Sequence, residues 1–215
     1  MVLLSPSIKG MRRLLSVCEH YGNAHGLKYN VSKTEMMVFA SGSGPDSVPA
    51  VYLNGSKINV VKRFKYLGHL LTERLQDDDD IERERRALAV RGNMLARRFS
   101  KCSKDVKTTL FKAYCLGMYT SQLWIPFTQK AMSRIRVQYN DAFRALMRLP
   151  RCCSASGMFV DAGVPDFFAI IRSRVASFWR RLRCSDNEIL VAVSDDIRSP
   201  VFKRWISVHM DQNRK

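Results

Sequence analysis

Long apolar runs are missing from this chain. None approaches the ~18 residues of a membrane-crossing helix, so no spanning segment is expected. Met1–Pro6 has neither the basic stretch nor the apolar stretch of a secretory signal. Cysteine pairs at redox or metal spacing are also missing. Cys18, Cys102, Cys115, Cys152, Cys153 and Cys184 fall irregularly, and none forms C-x-x-C. Without a signal segment they read as reduced, intracellular thiols. Cys152 and Cys153 are adjacent and would bridge only under strain. Cys18, His20 and His25 lack a fourth ligand for zinc. No G-x-x-x-x-G-K-[ST], G-x-S-x-G, H-E-x-x-H or EF-hand loop occurs. The hydrolases, metalloproteases and calcium sensors that depend on them are excluded.

Acidic residues are scarce. Asp plus Glu number 19 against 36 Lys plus Arg, a formal charge of +17. That excess makes a polyanion the leading partner; a basic surface kept for solubility is the competing explanation. Apolar residues are ample. They make up 46% of 215 residues, which excludes wholesale disorder. A chain of this length buries roughly 70% of its unfolded surface and needs no staples.

Three textures follow one another. Residues 1–75 mix short apolar runs with turn residues. Val2–Leu4 reads as a strand stub. A helix from Ile8 carries Met11, Leu14, Leu15 and Cys18 at helical spacing and ends near Tyr21-Gly22-Asn23. Met36–Phe39 reads as a strand, and Ser41–Pro49 as a Gly/Ser/Pro loop. Val51–Leu53 and Lys57–Val60 flank Asn54-Gly55, a strong hairpin signal. Phe64–Leu71 adds a further strand-like run. This stretch is α+β, a small antiparallel sheet with one helix.

Residues 76–150 are helical. Asp77–Asp80 precede a stripe of Ile81, Leu88, Leu95 and Phe99. Four neighbouring acids point in different directions and do not converge on a metal. They suit helix capping and the macrodipole. A second helix is expected over Asp105–Leu123, apolar nearly all round, and a third over Lys130–Leu149, stopped by Pro150. Residues 151–215 follow with an amphipathic helix through Val164, Phe168, Ile171, Val175, Phe178 and Leu182. Shorter helices are expected at Glu188–Val193 and Val201–Met210. The whole is α+β, mostly α.

Two segments carry a family resemblance. Gly26-Leu27-Lys28-Tyr29-Asn30-Val31-Ser32-Lys33-Thr34, followed by Glu35-Met36-Met37-Val38-Phe39, resembles motif D of reverse transcriptases of non-LTR (LINE-type) retrotransposons. Phe64-Lys65-Tyr66-Leu67-Gly68 resembles their primer-grip hairpin. Weaker similarities to the thumb and post-thumb region follow in order: Tyr114, Gln122-Leu123-Trp124, Tyr139-Asn140, Phe143-Arg144 and Ser154-Ala155-Ser156. The resemblance implies the C-terminal part of a palm over 1–75, a helical thumb over 76–150 and a helical C-terminal extension over 151–215.

In that family, Lys33 matches the lysine held to neutralise or protonate the leaving pyrophosphate. Tyr66, Leu67 and Gly68 match the primer grip, where Gly68 permits close backbone approach. Met1–Ser5 resembles the strand just after the catalytic Asp-Asp turn. The aspartates that hold the family's magnesium ions are thus expected upstream of Met1, in a missing N-terminal half of the polymerase. This segment is expected to hold no metal or cofactor of its own, since nucleotidyl transfer needs convergent carboxylates.

The resemblance gives the basic helix a role. Arg83, Arg86, Arg91, Arg97, Arg98, Lys101 and Lys104 fall opposite the stripe of a helix over 81–104. A thumb helix lays such cations along backbone phosphates without reading sequence. The expected partner is an RNA template with a DNA primer, in cytoplasm and nucleus. The alternatives are a non-catalytic nucleic-acid-binding module and a helical protein-interaction domain.

Overall fold

A computed structural model describes residues 1–39 and 47–210. Most of the Ser41–Pro49 loop lies outside the described residues. The chain divides into two compact units, one of Met1–Lys65 with Leu71–Leu75, the other of Tyr66–Leu70 with Gln76–Lys215.

The first unit opens on helix α1, Ile8–Ala24, capped by Ser7, whose hydroxyl accepts from Gly10 N. Residues 1–5 form no strand, contrary to the expectation for Val2–Leu4. The helix runs through Gly22 rather than stopping there. Gly22 is buried because a Cβ there would meet the Leu27 carbonyl at 3.0 Å and the Tyr29 ring at 3.2 Å. Closure comes after Ala24, where Gly26 adopts φ +65° and Leu27 N donates to Gly22 O.

The strands are shorter than expected, and they do not form one antiparallel sheet. Strand β1, Glu35–Met36, pairs in parallel with β4, Asn59–Val60. Strands β2, Tyr52–Leu53, and β3, Ser56–Lys57, form the expected hairpin across Asn54-Gly55, both at positive φ. Leu15, Met36, Val51, Leu53 and Ile58 make a small core beneath them. The run at 64–71 is a hairpin, β5 (Arg63–Tyr66) and β6 (His69–Thr72).

The second unit is helical. Helix α2, Asp78–Arg98, packs along α4, Gln129–Met147. They approach so closely that a Cβ on Gly92 would lie 2.7 Å from Ala142 Cβ. Helix α3, Lys104–Cys115, is shorter than the expected 105–123. The chain leaves it through Met118 (φ 23°) and Thr120 (φ 70°) before a short 3-10 turn at Ser121–Leu123. Helix α4 stops at left-handed Arg148, two residues before Pro150. Helices α5 (Ala155–Asp161), α6 (Phe167–Arg183), α7 (Glu188–Asp195) and α8 (Pro200–Met210) complete the chain. On α6 the inward face is Phe167, Ile171, Val175, Trp179 and Leu182, while Phe168 is 42% exposed. The α+β, mostly α architecture is thus observed. The main core joins Leu88, Leu95, Phe111, Trp124, Ile135, Tyr139, Phe143, Phe159 and Phe167.

Candidate nucleic-acid interface

The turn that carries Lys33 is built by Asn30. Its Oδ1 accepts from Lys33 N at 3.2 Å and from the Ser32 hydroxyl at 2.7 Å, and its carbonyl accepts from the Thr34 hydroxyl at 2.8 Å. Asn, Ser and Thr thus close one 3-10 turn, Val31–Lys33, and leave the Lys33 side chain exposed. The N-x-S-K-T spacing has a local mechanical reason whatever the lysine meets.

Leu67 and Gly68 form the tip of the second hairpin, with φ of 46° and 85°. Two successive positive φ values are what a tight two-residue hairpin turn requires. Tyr66 and Leu67 are exposed. The close approach that Gly68 permits is made within the protein. The Tyr119 ring would stand 2.8 Å from a Cβ at 68, and its hydroxyl donates to Leu67 O at 2.9 Å.

Beneath that tip the acidic run performs a task that sequence reasoning missed. Asp77 makes no side-chain cap bond to its helix. It is buried, accepts from Ile125 N at 2.9 Å, and lies 3.2 Å from His69 Nε2. Asp78 accepts from Thr128 N at 2.7 Å. Asp80 is fully buried. It accepts from Leu70 N (3.0 Å), Arg83 Nε (2.7 Å), the Thr120 hydroxyl (2.8 Å) and Trp124 Nε1 (2.8 Å). Burial alone would push this carboxyl up. The four donors outweigh it and hold Asp80 below its ordinary value. Solvated capping is therefore the wrong description of Asp77, Asp78 and Asp80. They tie residues 69–70, the start of α2 and the 119–128 segment together.

The same chemistry redistributes the basic residues. Arg83 bonds Asp80 and reaches Glu84 at 3.3 Å. Arg91 pairs with buried Glu84. Glu82 accepts from Arg85 at 2.8 Å and from Arg86 at 3.0 Å. These bonds, Arg85's first, hold the Glu82 carboxyl down at about 2 against an ordinary 4.5. The expected continuous cationic face is corrected in two ways. Its N-terminal half is neutralised by Asp80, Glu82 and Glu84 on the same helix. Its C-terminal end is not on that helix, because α2 stops at Arg98. Lys101 sits in the connecting turn and Lys104 opens α3.

Arg97, Arg98, Lys101 and Lys104 are exposed, and among the described residues none of them has an ion-pair partner. Four cations therefore crowd the α2–α3 junction within eight residues. Among the described residues no carboxylate set suited to magnesium accompanies them. Among the described residues no group of three or more His, Cys, Asp or Glu side chains converges, which also disposes of Cys18, His20 and His25 as a set. Cys115 is buried, and desolvation raises its thiol to about 11, an unreactive position. No helix among the described residues is long and apolar enough to cross a membrane.

No protein-family model, curated protein or solved structure matches the chain.

Proposed function

We propose that this chain is part of an RNA-directed DNA polymerase of the retrotransposon type and contributes template–primer binding. One observation carries the reading. Arg97, Arg98, Lys101 and Lys104 lie exposed, and without an ion-pair partner among the described residues, at the α2–α3 junction of a chain with formal charge +17. Unpaired cations on a helix end and its following turn suit backbone phosphates, which reward charge and spacing rather than base identity. An RNA–DNA hybrid would be held by shape and phosphate contact. The Asn30-built turn presenting Lys33 and the hairpin tip at Tyr66-Leu67-Gly68 support the reading as the motif D and primer-grip elements of that family. The compartment that follows is the one where the template lies, cytoplasm and nucleus.

Among the described residues no group of three or more metal-ligating side chains converges, and Asp77 and Asp80 already hold structural donors. The chain alone is therefore expected to incorporate no nucleotide on a primed RNA template with magnesium or manganese; extension clearly above a heat-killed control would contradict this.

The test of binding is fluorescence anisotropy on an RNA–DNA hybrid across a salt series. Four phosphate contacts predict that log K falls against log salt with a slope of roughly −3.6, equally for unrelated sequences. A slope near zero, or a strong sequence preference, would contradict the reading.

A further inference from the structure

The cationic α2–α3 junction has a serine in its midst. Between Glu84 and Asp105 the sequence holds no acid, and Arg97-Arg98-Phe99-Ser100-Lys101 puts arginines three and two positions ahead of that serine. Ser100 sits half-buried in the turn after α2. Among the described residues nothing hydrogen-bonds its hydroxyl. Ser103 differs, since its hydroxyl accepts from Val106 N at 3.4 Å as the cap of α3. Of the two hydroxyls at the junction, one already has a structural task and the other has none.

The surroundings of Ser100 suit a phosphate in two ways. The first is charge. A phosphoserine carries about two negative charges at pH 7. Arg97 lies three positions before Ser100 and Lys104 four after, one helical turn either way, with Arg98 and Lys101 closer along the chain. All four are exposed, and among the described residues none has an ion-pair partner. They would stabilise the dianion, which would cancel about two of their four charges. The second is recognition. A kinase cleft lined with carboxylates selects arginines ahead of its target by charge complementarity. Such a cleft takes an extended stretch. Leu95 is fully buried and anchors α2. Beyond it, Phe99 N donates to Leu95 O at 3.0 Å, and Cys102 N donates to Phe99 O at 3.1 Å. Helix ends open locally at the least cost. Of residues 97–101, Phe99 is the side chain that has to leave the core.

We propose that Ser100 is a phosphorylation site for a kinase that selects arginine three and two positions ahead, and that its phosphate weakens nucleic-acid binding at the junction. The kinase transfers the γ-phosphoryl group of ATP to Ser100 Oγ. The new P–O bond replaces the one to the departing ADP, and the hydroxyl proton passes to the kinase's base. The modification stands on the junction itself; its consequence rests on the template–primer reading.

The test incubates the folded full chain with ATP and a kinase of the cyclic-AMP-dependent class, then maps the product by peptide mass spectrometry. Phosphate is expected on Ser100 and not on Ser103. Fluorescence anisotropy on an RNA–DNA hybrid reads the consequence. Two cancelled cations should flatten the salt slope by roughly 1.8 units and weaken binding about tenfold or more at low salt. Kinase-treated Ser100→Ala should keep the parent slope, which separates Ser100 from any other serine the kinase modifies; circular dichroism checks its fold. Ser100→Glu places one negative charge at the same point and should flatten the slope by roughly 0.9 units. A chain that binds no hybrid before treatment would overturn the template–primer reading and the switch with it. A chain that binds the hybrid but takes no phosphate at Ser100, or takes it with an unchanged slope, would overturn the switch alone.

Discussion

Asp80 is the residue on which the second unit turns. Four donors from three separate stretches of chain meet its two oxygens. Asp80→Asn removes the charge that balances Arg83 and replaces one acceptor with a donor. About 3 kcal/mol of stability should be lost, the scale for breaking a buried pair; a urea midpoint within error of the parent would refute it. Its acid dependence has a definite sign. Asp80 and Glu82 both have folded values below their ordinary ones, Glu82 at about 2 against 4.5. The stability they supply is therefore fully present above about pH 5 and lost as pH falls toward 2. Urea midpoints over that range should drop, and Glu82→Gln should flatten the Glu82 share of the drop. Little of this was legible in sequence. Four acids ahead of Ile81 read as solvated caps, because nothing local announces that Thr120 and Trp124, some forty residues on, will claim one of them.

At the scale of elements, local signals succeeded where neighbours on the chain decide the outcome. Asn54-Gly55 gave its hairpin. The stripe Ile81, Leu88, Leu95 is buried as its spacing demands. Local signals failed where tertiary contact overrides periodicity. The apolar pattern through 116–123 reads as helix. The chain instead breaks after Cys115, where Met118 and Thr120 turn left-handed and the Thr120 hydroxyl reaches Asp80. The cationic face was misjudged because arginines were counted without the Glu82 and Glu84 that share their helix.

Two glycines test the packing. Gly92→Val should cost about 1–3 kcal/mol despite leaving a helix glycine behind, because α2 and α4 must separate around Ala142. Gly68→Ala should cost about 1–2 kcal/mol, since φ 85° and the Tyr119 ring both oppose a Cβ. Thermal melts of the two variants read both numbers; no change in either would show that these approaches are looser than described.

For the whole molecule, the two units differ in what holds them. Among the described residues the helical unit has twenty buried side chains in its main core and the first unit five. Amide exchange should therefore be slowest in α2, α4 and α6, with β1–β4 exchanging well ahead of them; slowest exchange in the short strands would reverse that ranking. The charge of the molecule was plain from composition, but its distribution was not. Arg83 and Arg91 are structural partners of carboxylates, whereas Arg97, Arg98, Lys101 and Lys104 have no ion-pair partner among the described residues at the α2–α3 junction.

That division is the account's central claim, and a paired set of variants tests it most directly. Arg97, Arg98, Lys101 and Lys104 changed together to Ala should flatten the salt slope on an RNA–DNA hybrid by roughly three to four units while the protein stays folded. Arg83→Ala should leave the slope unchanged and lower the urea midpoint instead. The opposite pattern, an unchanged slope in the folded quadruple variant or a flattened one in a folded Arg83→Ala, would contradict it.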